Sequence, residues 1–521
     1  MLESINGASN GAVKNGTTKK KNGAAKNSEV IEENESIQEI TKNEATASDY
    51  VVKENNTKGR NTRNKFKDID RPRPIDRSRP FEFDELFFSV TDHKSVITYS
   101  NDVFVRISGY EAELLDGQLH KLIRHPDMPR AVFKVFWDIL KAGKPVAAYV
   151  KNMAADGAYY WVMALAFPCN NGYLSIRLKP GSRIFSSVKK IYAETLKLEK
   201  EKERELDARK AMELSEEFLL SSLRSEGFES YEKFMWSALK EEMRNREKKL
   251  ELSSNQEKIK QMGVPAVQSQ LQVLLGELFE NLKSLENLNQ MHSMLMDQAG
   301  QMLKLTQSIQ LFSMNTQIST SKLENSDKAL SIAAENMGNE SVKGEKNLLE
   351  LQQLVNRLKE LLDTLNFKII TTKLKVEMIN DFMDSRKDSK SQQGNSPFLL
   401  SENEVTDLLF DTMLPDLKIV SEGLKELPVS LRKLRGEVNG VDRFLDTLKF
   451  NHIIGKVEIA RLNEEAASYS STFETLAKDV LSAQEKLGEL AQFLSSNEKM
   501  TQLLTKNEYE IKNFYLKLLE S

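Results

Sequence analysis

The chain has 521 residues, and 74 Lys and Arg against 77 Asp and Glu leave a formal charge of −3, so no global basic field draws it to nucleic acid. A mean hydropathy of −0.48, no run of about 18 apolar residues and a polar Asn-, Gly- and Lys-rich start predict a soluble, cytoplasmic protein without a transmembrane segment or secretory signal. One cysteine, Cys169, excludes an intramolecular disulfide and a thiolate metal site, and the five histidines lack ligand spacing.

Aromatic residues divide the chain. Sixteen of the 39 fall between Phe81 and Ser182, whereas residues 266–521 hold 14 and no Trp, and the first 80 residues hold two. Aromatics gather where a compact core must be filled. Residues 1–80 are too polar to offset chain entropy and read as a disordered tail. Nine basic residues between Lys58 and Arg79, set against three Asp, suit a solvated linker better than a contact with an anionic partner.

Residues 81–182 alternate strand and helix patterns. Phe87–Thr91 and Ser95–Ser100 flank the turn Asp92-His93-Lys94 as a hairpin, and a short helix from Asn101 to Ile107 closes at Ser108-Gly109. Asp127 is placed to cap a helix with Pro129 near its start and Val132, Val135, Phe136, Ile139 and Leu140 on its buried face. Strands at Val146–Met153, Ala158–Pro168 and Gly172–Leu178 follow, separated by Asp156-Gly157 and Asn170-Asn171-Gly172 turns. The order predicts an α+β domain with a five-stranded antiparallel sheet.

From residue 183 the pattern is helical, with four prolines in the last 339 residues. Residues 183–262 read as a charged helical linker. Leucines at three- and four-residue spacing, Leu271 to Leu288 and Leu348 to Leu365, make residues 263–521 an all-α bundle or coiled coil. The exposed stripes predict a homodimer, with intramolecular hairpins serving equally well.

Residues 86–178 resemble the flavin-binding PAS domain of aerotaxis receptors and related chemotaxis transducers. The strings that carry the likeness are Ile97–Phe104, Ser108-Gly109-Tyr110, Arg124-His125-Pro126-Asp127-Met128-Pro129, Trp137, Val150-Lys151-Asn152, Gly157–Val162 and Leu174–Arg177. Val188–Tyr192 and Gly227–Tyr231 look like the segments that follow this PAS type. The resemblance implies FAD in the PAS cavity, with Asn101, Arg124, His125, Asp127, Trp137 and Asn152 as its binding residues. On chemistry alone, Trp137 suits a ring stack, Asn152 an isoalloxazine edge and Arg124 a phosphate or carboxylate. The bland alternatives are a core Trp, a helix-entry His with a capping Asp, and an Asn in a bend. Haem on His120 or His125 is the competing cofactor. Cys169, at a strand end, does not suit a flavin photoadduct.

No ATP-binding glycine box, phosphoacceptor histidine box, GGDEF-like string or P-loop follows, so the chain is expected not to be an enzyme. Leu311-Phe312-Ser313-Met314-Asn315, with Ile318, Lys322, Leu330, Ile332 and Ala334, resembles a chemoreceptor hairpin tip, in which Ser319, Lys322 and Glu324 depart from the usual residues. Val457–Arg461, with Phe473 and Ala477, is a second echo that suggests an internal duplication. The implied function is a sensory transducer that reads redox or oxygen through FAD and signals to a chemotaxis kinase and adaptor. The alternative is a non-catalytic scaffold.

Overall fold

The computed structural model describes residues 71–253, 266–320, 328–389, 398–461, 467–496 and 498–520. The expected tail lies outside the described residues up to residue 70. Its last ten residues instead run along the fold. The Ile75 N–H donates to the Gly157 carbonyl (2.9 Å) and that of Arg79 to Tyr159 (2.8 Å). Gly157 is required at this approach: its φ is +82°, and a Cβ would sit 2.3 Å from the Arg73 carbonyl oxygen.

Strands β1 (Phe87–Thr91), β2 (Ile97–Ser100), β3 (Val146–Met153), β4 (Tyr159–Cys169) and β5 (Gly172–Leu178) form one antiparallel sheet in the order β2-β1-β5-β4-β3. This is the fold expected of a PAS domain. Asp92 shapes the first hairpin, its Oδ1 accepting from the N–H groups of Lys94 and Val96 at 2.8 Å each. The crossover from β2 to β3 carries α1 (Asp102–Ser108), α2 (Ala112–Leu115), a 3₁₀ turn (His120–Ile123) and α3 (Arg130–Lys141). Asp127 does not cap α3. The N-terminal N–H groups of Arg130 and Ala131 donate instead to the buried carboxylate of Glu199 (3.2 and 3.3 Å), 69 and 68 residues away.

Glu199 belongs to α4 (Arg183–Lys202), which with α5 (Ala208–Ser225) and α6 (Tyr231–Ser253) occupies the expected linker. These helices are not a free-standing rod; they fold back on the sheet. Phe185 stacks on Tyr149 (5.2 Å) and meets Trp161 edge-on (5.4 Å), and the Tyr231 hydroxyl donates to the Ala147 carbonyl (3.1 Å). Glu242 of α6, fully buried, accepts from Gly181 N–H (2.7 Å), the Ser182 N–H and hydroxyl (2.6 Å for the latter), and the Tyr149 hydroxyl (2.9 Å). It ties α6 to the end of the sheet and to the start of α4.

Helices α7 (Ala266–Thr320), α8 (Lys328–Ser389), α9 (Glu402–Arg461), α10 (Ala467–Ser496) and α11 (Glu498–Glu520) build an up-down-up-down bundle, with α10 and α11 sharing the fourth position. The registers are antiparallel throughout. Asp384 meets Gln268, Lys359 meets Asn289 and Ser341 meets Thr306 between α8 and α7; Lys375 meets Asp416 between α8 and α9. Asp446 and Ser421 of α9 meet Gln484 and Glu508, while Gln301 and Asn281 of α7 meet Lys486 and Asn507. At Gly344 any Cβ would lie 2.2 Å from the Phe444 ring, so glycine sets the α8–α9 approach there. The leucine stripes that predicted a partner therefore face each other within one chain. Lys322 and Glu324 of the tip-like string lie outside the described residues, as does most of the Ser385–Ser396 loop.

The bundle's base grips the sheet. Phe382 packs edge-on against Phe88 (5.7 Å) and Tyr99 (5.9 Å), Lys375 lies over the Phe167 ring (4.0 Å), and Arg246 of α6 pairs with Glu377 of α8 (2.7 Å). The α7 and α9 helices end at Thr320 and Arg461, far along the bundle from that base.

Candidate functional site

The sheet is hollow on the face that α3 covers. Along β1, β3, β4 and β5 the inward positions include Ser89, Ala148, Ala164, Ala166 and Ser175, small side chains where a filled core would carry Leu or Ile. Strand alternation sends the bulky Met163, Leu165, Phe167, Leu174 and Ile176 to the other face. The result is a cavity that opens to solvent on one side. Four aromatic rings line it: Phe133, Phe136 and Trp137 from α3, and Tyr173 from β5, with Trp137 meeting Tyr173 edge-on at 5.4 Å.

Lys94, Lys121, Arg124 and Arg177 line the cavity, and no Asp or Glu does. Lys94 and Lys121 are exposed and mark its solvent side; Arg124 is half-buried, its guanidinium 4.0 Å over the Phe133 ring. Arg177 is buried. It donates to Ser89 Oγ (3.0 Å), the Ser175 carbonyl (3.2 Å) and His120 Nε2 (2.5 Å), and sits over the Phe104 ring. His120 accepts from a permanent cation and so is neutral; burial, then Arg177, drives its pKa well down.

Of the six sequence-predicted residues, Arg124, Trp137 and Asn152 line the cavity and Asn101, His125 and Asp127 do not. Asn152 is 2% exposed, and its side-chain N–H₂ has no hydrogen-bond partner. A buried amide donor left so costs about 1–3 kcal/mol. The Asn101 side chain is spent at the start of α1, where Oδ1 accepts from Phe104 N–H (3.2 Å) and Phe88 N–H (3.1 Å). His125 Nδ1 accepts from the Asp127 N–H (3.1 Å), and burial, with Lys151 nearby, lowers its pKa to about 4. The Asp127 carboxylate meets Lys151 of β3 (3.1 Å), which holds its pKa down against the opposing effect of burial. These residues pin the turn before α3 to β3, where Arg124 and Asn152 also pair through their backbones. They shape the wall that carries Arg124 rather than facing the cavity themselves.

Sequence reasoning weighed His120 only as a haem ligand and passed over Arg177. The available signal was the Tyr173-x-Ser175-x-Arg177 alternation, which puts a lone cation on the inward face of an otherwise apolar strand. Cys169 does not line the cavity, and burial raises its thiol pKa to about 11.

Residues 97–174 match the PAS fold family. Over 126 residues, 23% of this chain, the protein is 40% identical to the aerotaxis receptor of Escherichia coli strain K12, of which it covers 25%. Over 74 residues, 14% of this chain, it is 34% identical to the nitrogen fixation regulatory protein of Klebsiella pneumoniae, of which it covers 15%. A fungal LOV domain photoreceptor of solved structure is similar at 18% identity and a TM-score of 0.16, over 21% of this chain and 81% of that one. The chain thus spans a quarter or less of the curated relatives' length. It carries a PAS domain related to that of the aerotaxis receptor, followed by long helices, and its relatives are by name a receptor and a regulatory protein. Among the described residues no helix is long and apolar enough to cross a membrane.

Proposed function

We propose that the PAS cavity binds FAD and that the chain is a non-catalytic transducer, located in the cytoplasm, which reports redox or oxygen status through its helices. The observation that carries this reading is the orphaned Asn152 amide in a cavity lined by four aromatic rings and four cations. A dinucleotide flavin presents an aromatic face, a hydrogen-bonding edge and a diphosphate, and these chain groups complement all three. Trp137 and Phe136 pack against the ring system, Asn152 meets its edge, and Arg124 with the exposed Lys94 and Lys121 meets phosphate. When bound, flavin supplies a ring nitrogen that accepts a hydrogen bond when oxidised and donates one when reduced. Asn152 can serve either state by turning its amide, offering N–H or C=O.

From Asn152 the outward route runs along β3 to Tyr149 on the opposite face, then through Glu242 to α6, and from Arg246 to Glu377 on α8. The receiver is the bundle, whose resemblance to a chemoreceptor hairpin supports an output to a chemotaxis kinase and adaptor. Because the leucine stripes close within one chain, this relay needs no homodimer. Flavin is favoured over haem here because His120 Nε2 is engaged by Arg177 and His125 lies off the cavity.

The absorption spectrum of the purified protein tests the cofactor. Flavin bands in the blue support the reading, and a Soret band replaces it with haem. A colourless protein that takes up no FAD on reconstitution overturns it and leaves the scaffold reading. Asn152→Ala and Trp137→Ala are expected to lose colour while keeping their helical signal. A pull-down with a chemotaxis kinase and its adaptor tests the output.

A further inference from the structure

Arg177 stands apart from the other buried cations. Desolvating a guanidinium costs several kcal/mol unless an anion or a full set of acceptors offsets it. No carboxylate pairs with it among the described residues, the cavity wall offers none, and its partners are a hydroxyl, a carbonyl, a neutral imidazole and an aromatic face. On β3, two strands away along the same wall, the Asn152 amide donor is also unanswered. Two unmet demands, one for negative charge and one for a hydrogen-bond acceptor, thus converge on one volume.

We propose that Arg177 is the charge-selecting residue of this cavity: at its end of the wall it faces the electron-rich part of the bound cofactor and favours its negatively charged, reduced form. The inference rests on the FAD reading above and deepens it. Two electrons and one proton, delivered by dithionite as it is oxidised to sulfite and by solvent, leave the bound ring system with one additional negative charge. An uncompensated cation in a dry cavity stabilises that state over the neutral oxidised one. His120 is a positioning residue: its Nε2 holds the guanidinium, and its neutrality keeps a second positive charge out. The sensor's set point then lies in the protein, in the charge carried by β5.

The test uses the full chain loaded with FAD and titrated anaerobically with dithionite against a reference dye. Arg177→Gln is expected to reduce the preference for the reduced form at least tenfold, which lowers the midpoint by about 30 mV for a two-electron couple. Arg177→Lys, which keeps the charge, is expected to retain most of the wild-type potential. A loaded Arg177→Gln protein with the wild-type midpoint overturns this inference alone, because a purely structural role would alter loading but not potential. If Arg177→Gln does not load, the wild type still decides: by linkage it must hold reduced FAD at least tenfold more tightly than oxidised FAD, and equal affinities sink the proposal. Wild-type protein that takes up no FAD overturns the cofactor reading and this inference with it.

Discussion

Lys375 and Arg177 are both 2% exposed, one beneath the bundle and the other inside the PAS sheet, and the chain treats them in opposite ways. Lys375 donates to Asp416 Oδ2 (2.7 Å) and to the Thr412 carbonyl (2.8 Å), one turn before Pro415 interrupts the α9 ladder. Lys368 and the Thr371 hydroxyl complete the shell around Asp416 at 2.6 and 3.3 Å. Every charge there has an opposite within hydrogen-bond distance. Arg177 has none. A buried charge that is answered holds helices in register; the unanswered one is where the proposed cofactor would supply its partner.

That contrast can be broken most sharply at Asp416. Asp416→Asn should strand Lys375 and cost about 3–5 kcal/mol, read by urea denaturation of the full chain; a loss below about 1 kcal/mol would make the pairing incidental. Glu242→Ala removes the acceptor shared by Gly181, Ser182 and Tyr149 and should cost about 2–3 kcal/mol. Amide exchange at 181 and 182 should rise with it. Arg177→Met, measured without cofactor, should run the other way and be neutral or stabilising by up to about 1 kcal/mol, since it removes an unpaired charge. Destabilisation would instead show that its neutral partners suffice.

The smallest expected effect lies between α7 and α11, where Glu277 faces Glu510, with Lys506 partly offsetting. Burial, then Glu510, raises the Glu277 pKa to about 7. A carboxyl raised in the folded state favours the neutral form. Its contribution is therefore full below the ordinary carboxylate range and fades as pH rises through about 7. Glu277→Gln should flatten that slope and gain about 1 kcal/mol at pH 8, a figure already discounted for solvent screening.

The strands were readable because period-two patterns and Gly- or Asn-rich turns bracket them; β3 and β5 run from Val146 to Met153 and Gly172 to Leu178, as the pattern places them. The helices beyond were equally plain. What local pattern hides is a charged residue whose partner lies far along the chain. Glu199 and Glu242 sit in stretches dense with Lys and Glu that look solvated, yet each closes a helix end or sheet corner about 60 or more residues away. The cavity was half legible. The motif around Arg124 falls on its wall, whereas the side chains of Asn101, His125 and Asp127 engage local turn and cap partners instead. Arg177 was hidden by its apolar neighbours.

The bundle's connectivity carries one more consequence. In a symmetric pair of hairpins every substitution appears twice, on both sides of the axis. Here one chain supplies both hairpins, so each half is free to diverge, and the two echoes of the tip-like string already differ. Helix α7 alone, 55 residues long, places its far end about 80 Å from its base. A change at the sheet therefore reaches a lever whose two arms need not move alike, and its output can be one-sided.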